Sequence, residues 1–520
     1  MTKSNRTARS ALIIIVLTLG SRFLGFIREA LIAAKFGSSS ESDTFFVAIA
    51  ISSLITTLIM NAIVTTFIPV LSEVETKEGK IGKIRHANNM INILIVLSSV
   101  LIALVYIFTP AIVRITAKGF EGEQFNLTVK MTRIGLPMIV FSGILGSLKG
   151  FLQSEQKFTS SASIGFPYNL VYILYLLLLS SVFGIKGLIV AAVIAVGAQI
   201  IILIPEARKT GYRYKFIFDI KDKYIKKVLY LSVPVLIGVA INDIGVIIDK
   251  TLASDLATGS ISALNYANTL NEVVKGVFVS AIATVIFPLL AKESNSGSLN
   301  SMKKIMGSGV NLILLITIPA TVGLIVLAQP IVGVIFQRGA FTTNDTIMTT
   351  QALVFYSIGL AASSLRLLIT RVYYSLQDTR TPMINGAFAV GIDIVFNIIL
   401  VRYMAHAGLA LATSIGNTVA TLILFYSLKK KIGSLGTLGY IKCGLKSGLA
   451  SVAMGVAAYF TYNFLYGILG ISKIYNLISL VVAISVGIAI YGALCYLLGI
   501  DEIKDLVGKV MKKIGLTKCN

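Results

Sequence analysis

Residues 90–113 read MINILIVLSSVLIALVYIFTPAIV, twenty-four positions without a charged side chain. A helix rises about 1.5 Å per residue and needs about 20 apolar residues to cross the hydrocarbon core, so this stretch spans a membrane. It does so as a helix, because lipid offers the backbone no partner outside the segment. Working outward from it, similar runs cover 10–36, 44–70, 88–116, 128–152, 160–183, 186–208, 226–252, 262–291, 308–335, 346–375, 382–403, 407–430, 440–467 and 472–500. They are too long, and too free of alternation, for the strands of a transmembrane barrel. The composition agrees: 56% of the 520 residues are hydrophobic and 13% charged, and the mean hydropathy is +0.86. A soluble domain of that make-up would lack the polar surface to cover itself. The expected fold is an all-α polytopic membrane protein of about fourteen transmembrane helices.

The loops carry the orientation. Lys and Arg number 46 against 23 Asp and Glu, a net charge of +23. The basic residues gather in every second loop: before the first span, at Lys77 to Arg85, at Arg208 to Lys227, at Lys292 to Lys304, at Lys429 to Lys446, and in the tail from Lys504. The loops between them hold acids such as Glu121, Glu123 and Asp255. By the positive-inside rule both termini are cytoplasmic and the number of spans is even. Because the cations sit in short inter-span loops, a nucleic-acid partner is not expected. Lys3, Arg6 and Arg9 precede a long apolar run with no small-residue cleavage site, which reads as an uncleaved first span. Cys443, Cys495 and Cys519 lack metal-ligand spacing, and the only histidines are His86 and His406, so neither a zinc site nor a histidine-based catalytic centre is expected. No Walker-type phosphate loop occurs.

The chain repeats itself at an offset near 220 residues. Thr66–Glu73 (TFIPVLSE) resembles Val285–Glu293 (VIFPLLAKE). Pro110–Val113 with Lys118–Phe120 resembles Pro330–Gly333 with Arg338–Phe341, and Phe151–Lys157 resembles Tyr374–Arg380. An even number of spans separates the copies, so they run parallel across the membrane as two six-helix lobes, a plan common in transporters. The expected divisions are a first lobe at 1–215, a second at 216–435, and two additional helices with a tail at 436–520.

An ionisable group at a helix centre costs about 2.5–3.5 kcal/mol on insertion scales and persists where it meets a cavity or a partner. The first span holds Arg22, Arg28 and Glu29. The two arginines stand about 9 Å apart along the axis and roughly 120° apart around it, whereas Arg22 and Glu29 share a face and can pair. One acid cannot neutralise both arginines. Span seven holds Asp243 and Asp249, span eight an i,i+3 pair of Glu272 and Lys275, and span ten Arg366 and Arg371. Span eleven holds Asp393 and Asn397 on one face; their oxygens suit a small cation or a helix–helix hydrogen bond equally well. Arginine's planar fork suits a phosphate or pyrophosphate.

At these residues the chain resembles the MurJ (MviN) lipid II flippases of the multidrug/oligosaccharidyl-lipid/polysaccharide exporter superfamily. The resemblance rests on Ser21–Glu29 (SRFLGFIRE), Phe36-Gly37, Asp43–Ala48 (DTFFVA), Phe336–Thr342 (FQRGAFT) with Asp345, and Tyr374–Pro382 (YSLQDTRTP), and extends over nearly the whole chain. It implies a cationic central cavity, a groove on the last two helices for a polyprenyl tail, and movement of undecaprenyl-pyrophosphate-linked peptidoglycan precursor from the inner to the outer leaflet of the bacterial plasma membrane, with no enzymatic chemistry and membrane lipids as surroundings. It further implies diphosphate contacts at Arg22 and Arg28, an acid of the site at Asp43 and, as in some members, a sodium ion on Asp249, Asp393, Asn397 and Thr413; the buried charges add Glu29, Lys275 and Arg366 to the expected substrate contacts, and no other cofactor and a monomer are expected. The stretches matching the family's arginine-bearing parts of helices 2 and 8 read Leu54–Leu58 (LITTL) and Tyr266–Leu270 (YANTL), without arginine; Lys275 lies two turns beyond the second. A flippase for another polyprenyl-linked oligosaccharide and a cation-coupled small-molecule exporter are the alternatives. A membrane enzyme acting on polyprenyl lipids would need converging His or Asp residues in outer loops that are short and poor in them.

Overall fold

The computed structural model describes residues 3–470 and 472–504, with the side chains of 3–12, 237, 238, 241 and 242 excepted. The side chains of Lys3, Arg6 and Arg9, the basic tail past Lys504 and Cys519 therefore lie outside the described residues. Every regular element described is a helix.

In chain order the helices are α1 Lys3–Phe36, α2 Ser40–Thr116, α3 Gly122–Gly135, α4 Met138–Ser154, α5 Phe158–Ser163, α6 Gly165–Leu178, α7 Ser180–Lys209, α8 Lys223–Ser254 and α9 Ser260–Val274. A π-helical turn at Lys275–Val279 leads into α10 Ser280–Asn295. Then follow α11 Leu299–Val326, α12 Ala328–Phe336, α13 Thr343–Ile358, α14 Leu360–Ser375, α15 Arg380–Ile432, α16 Thr437–Leu469 and α17 Lys473–Leu497. Nine helical stretches among the described residues are long and apolar enough to cross a membrane, or ten if the α13–α14 pair, bent by 47°, is one span. Two of these are far longer than one crossing needs: α2 has 77 residues and breaks at Gly79 (φ 69°), and α15 has 53 and breaks at Ala405 (φ 49°). Each is two crossings joined without a loop, and with α1 and α8 the set is consistent with the expected fourteen.

The loop expected at Lys77 to Arg85 is helix apart from Gly79. Ion pairs support the run-on beyond the membrane: Lys77 to Glu73 at 2.7 Å, and a fully buried Lys83 to Glu75 at 2.7 Å and Glu155 at 2.6 Å. The sequence repeat reappears in the backbone. Left-handed residues recur at its interval, pairing Gly37 with Gly259, Gly79 with Gly297, Gln156 with Gln377, Gly184 with Ala405 and Gly211 with Gly433. Both glutamine turns close alike, Lys157 N–H on the Leu152 carbonyl at 2.8 Å and Asp378 N–H on that of Tyr373 at 3.0 Å.

Two compact units divide the chain. Residues 1–265 with 338–341 form one, and residues 266–337 with 342–520 form the other. In the first, α8 packs on α2 and the core centres on Phe67, Leu71, Met90 and Phe151. In the second, Met306, Ile313, Leu368 and Tyr373 form the main core, while α16 packs on α17 and α11 around Leu315, Met454 and Tyr491.

Candidate functional site

The first unit holds a polar centre built on α1. Arg28 Nη2 donates to Glu29 Oε1 at 2.6 Å and Nη1 to Asn169 Oδ1 at 3.1 Å, and the guanidinium lies over Tyr168 and Tyr172, 5.4 and 5.1 Å from the ring centroids. Asn169, on α6, is itself oriented, because its amide donates to the carbonyls of Ser21 at 3.0 Å and Gly165 at 2.8 Å. That leaves its oxygen turned to Arg28. The second Glu29 oxygen accepts from Asn265 Nδ2 at 3.3 Å. Glu29 thus pairs with Arg28 and not with Arg22, which is exposed and makes no ion pair among the described residues. The seven-residue spacing put Arg22 and Glu29 on one face but two turns apart, whereas Arg28 reaches its neighbour directly.

Asp43 stands in the first turn of α2 and is buried. Its Oδ2 accepts from Gly259 N–H at 2.7 Å, and its Oδ1 from Ser262 N–H at 2.8 Å and Ser262 Oγ at 2.6 Å. The carboxylate closes the exposed amides at the N-terminus of α9, where the helix dipole favours an anion. Expected as a substrate contact, it is here fully engaged by protein donors. Two glycines allow the close approach. A Cβ on Gly259 (φ +91°) would stand 2.4 Å from the Ser38 carbonyl oxygen, and one on Gly339 (φ +60°) 2.1 Å from that of Ala34. The Ala34 carbonyl accepts from Ala340 N–H at 2.8 Å.

Sequence reasoning passed over Lys250, near the end of α8. Its ammonium lies 6.0 Å from the Phe46 centroid and within electrostatic reach of Asp43, Asp249 and Glu29. Asn169, Tyr168 and Tyr172 were also passed over, since neutral amide and aromatic residues carry no cost signal in a helix.

In the second unit, α15 brings Asp393 within hydrogen-bond reach of Asn397, one turn on, and of Thr413, on the returning half beyond Ala405. Asp393 Oδ1 is buried without a hydrogen-bond partner. An unmet carboxylate oxygen beside an amide and a hydroxyl fits a small hard cation. Asp249 lies on α8, in the first unit. No group of three or more His, Cys, Asp or Glu side chains able to hold a metal occurs among the described residues. Lys275 pairs with Glu272, as the spacing predicts, at the start of the π-helical turn. Arg366 Nη1 donates to Asn417 Oδ1 at 3.3 Å.

Ion pairs and polar clusters held inside a doubled bundle of membrane-crossing helices define a polytopic carrier. A multidrug resistance MATE family transporter of the MOP superfamily in an inward-facing conformation shares the fold, with a TM-score of 0.69 over 81% of this chain and 99% of that one at 13% identity. The chain belongs to the MurJ family: the family model described as "Lipid II flippase MurJ" matches residues 32–480. A solved "Lipid II flippase MurJ, inward closed conformation" is similar at a TM-score of 0.79 and 26% identity, covering 95% of this chain and all of that one. Relatives named "Probable lipid II flippase MurJ" include that of Rickettsia prowazekii, 28% identical over 94% of this chain and 97% of its own length, and that of Vibrio cholerae, 29% identical over 97% and 98%.

Proposed function

We propose that this protein carries lipid II, the undecaprenyl-pyrophosphate-linked peptidoglycan precursor, from the inner to the outer leaflet of the bacterial plasma membrane by alternating access. Family membership along nearly the whole chain supports the substrate class. The observation that carries the site is Arg28, an arginine deep in α1 held by one carboxylate, one amide and two aromatic faces. Only part of its fork is occupied by charge, which leaves donors for a diphosphate oxygen. Arg22, exposed on the same helix, Lys275 and Arg366 are proposed to meet the rest of the headgroup. With both termini cytoplasmic, the clasp of Asp43 on α9 and the contacts of Gly259 and Gly339 lie toward the outer face. There they close the exit while substrate enters from within, and the lobes 1–215 and 216–435 rock to open it. Sodium on Asp393, Asn397 and Thr413 supplies a coupling cation; Asp393 is the charged donor and the other two fix its orientation. The protein works as a monomer.

The test is depletion of the resident lipid II flippase in a bacterial host that expresses this chain, with leaflet-resolved labelling of lipid II. Sustained outer-leaflet lipid II is the expected result, and its loss despite normal membrane expression refutes the assignment.

A further inference from the structure

Between α7 and α8 the chain runs without regular structure from residue 211 to 222, yet it is firmly held. Three buried asparagines of α2 serve as its hydrogen-bonding track. Asn88 Nδ2 donates to the Arg213 carbonyl and Asn92 Nδ2 to that of Ile217, each at 2.9 Å. Asn89 clasps Asp219 at both ends, donating to its carbonyl at 2.9 Å and accepting its N–H at 2.8 Å. Tyr214 Oη donates to Asn92 Oδ1 at 2.6 Å, and Asp222 contacts His86 Nδ1 at 3.2 Å. Tyr212 packs on Phe151.

The order of these contacts gives the strap a direction. It meets α2 first at Asn88, climbs to Asn92, and returns through Asn89 to His86. Six residues of helix separate Asn92 from His86, so the turning point lies about 9 Å further along α2 than the end of the strap. That climb runs toward the membrane: the exposed apolar stripe of α2 begins at Val96 and Leu97, one turn beyond Asn92. At the turning point Phe216 is 78% exposed, and Phe218 and Ile220 are exposed beside it. Around them Arg213, Lys215 and Lys221 are exposed and form no ion pair among the described residues. Apolar rings at the depth where the lipid-facing stripe starts, flanked by cations without protein counter-ions, match the boundary between acyl chains and anionic headgroups.

We infer that the strap at 211–222 is a membrane-interface anchor, seating Phe216 and Phe218 among the upper acyl chains while Arg213, Lys215 and Lys221 bind anionic phospholipid headgroups. The asparagine track holds its backbone on α2, so the anchor fixes the connection between the repeats at a set depth.

The chain contains no tryptophan, so Phe216→Trp gives a single fluorescent reporter at an exposed site. The full-length variant is placed in nanodiscs of phosphatidylcholine, with and without phosphatidylglycerol. Blue-shifted emission, quenching by acyl chains brominated near the headgroup more than by chains brominated at their ends, and protection from iodide that deepens with phosphatidylglycerol and weakens with salt are expected. Adding Lys215→Gln and Lys221→Gln removes the phosphatidylglycerol dependence but leaves the quenching. Emission typical of water, open to iodide and unquenched by brominated chains, overturns the anchor. So does blue-shifted emission without lipid quenching, which means the ring is covered by protein. Quenching indifferent to phosphatidylglycerol overturns the anionic partner.

Discussion

Replacing Asp43 tests the closure most directly, because one carboxylate serves three donors. In Asp43→Ala the Gly259 and Ser262 amides lose a charged acceptor, while the Ser262 hydroxyl can rotate to another oxygen. Hydrogen bonds to charged groups contribute about 1.5–3 kcal/mol each, so the two amides lose about 3–6 kcal/mol. Water entering the vacated space recovers roughly half, which leaves about 1.5–3 kcal/mol. At 1.4 kcal/mol per decade, local opening at the N-terminus of α9 rises about 10- to 140-fold. Hydrogen–deuterium exchange read by mass spectrometry over peptides spanning 257–266 measures it, since exchange there reports the free energy of local opening. Asp43→Asn keeps an oxygen but no charge and falls between the two. Peptides from the 150–160 turn serve as the control. If exchange over 257–266 in Asp43→Ala matches the parent, the carboxylate does not hold this end and the clasp is refuted.

Arg28→Ala is expected to abolish rescue of the depleted host with membrane expression intact, and Arg28→Lys, which keeps the charge but cannot span Asn169 and Glu29, to retain part of it; full rescue by Arg28→Ala removes the headgroup role. Sodium is expected to raise the thermal unfolding temperature of the purified protein relative to potassium, and Asp393→Asn to erase that difference; a shift that survives the substitution places the cation elsewhere. At the Asp378 turn burial raises the carboxyl, but the hydrogen bonds from Lys431 and from the Thr381 backbone and side chain outweigh it and hold the group at about 2. A depressed folded value means that its stabilisation is full above the ordinary value near 3.9 and drains away as pH falls toward 2. Thermal unfolding should therefore show an acid-dependent loss within that window that Asp378→Asn, already less stable at neutral pH, lacks.

The crossings were legible because hydrophobicity over about 20 residues is what a bilayer selects. Helix length was not, because hydropathy measures the bilayer and not the helix. Glu73 and Lys77 read as loop, yet they are an i,i+4 pair that carries α2 onward past the apolar run. Charge flagged Arg28 and Asp393 by the cost of burying them, and each has partners. Which partners was hidden, since Asn169 and Tyr172 come from a helix over a hundred residues away and are neutral. Asp43 was flagged by motif position alone, and its engagement with Ser262 needed the fold to bring residues 219 apart together. Lys250 escaped because a lysine near a span's end reads as snorkelling, whereas it lies within reach of three carboxylates.

The repeat relates the buried polar residues of one copy to those of the other. Its left-handed turns set the register between the copies. Arg28 stands nine residues before Gly37 and Lys250 nine before Gly259; Tyr172 stands sixteen after Gln156 and Asp393 sixteen after Gln377. The position that gives the first copy an aromatic face for its arginine therefore gives the second copy a carboxylate. A ring face holds a guanidinium without cancelling its charge, so the one acid paired with Arg28 is its neighbour Glu29. At the matching position the second copy places a carboxylate, Asp393, with one oxygen buried and without a hydrogen-bond partner. Duplication thus kept one position basic in both copies, as Arg28 and Lys250, and let another diverge from the tyrosine that faces Arg28 to a buried carboxylate.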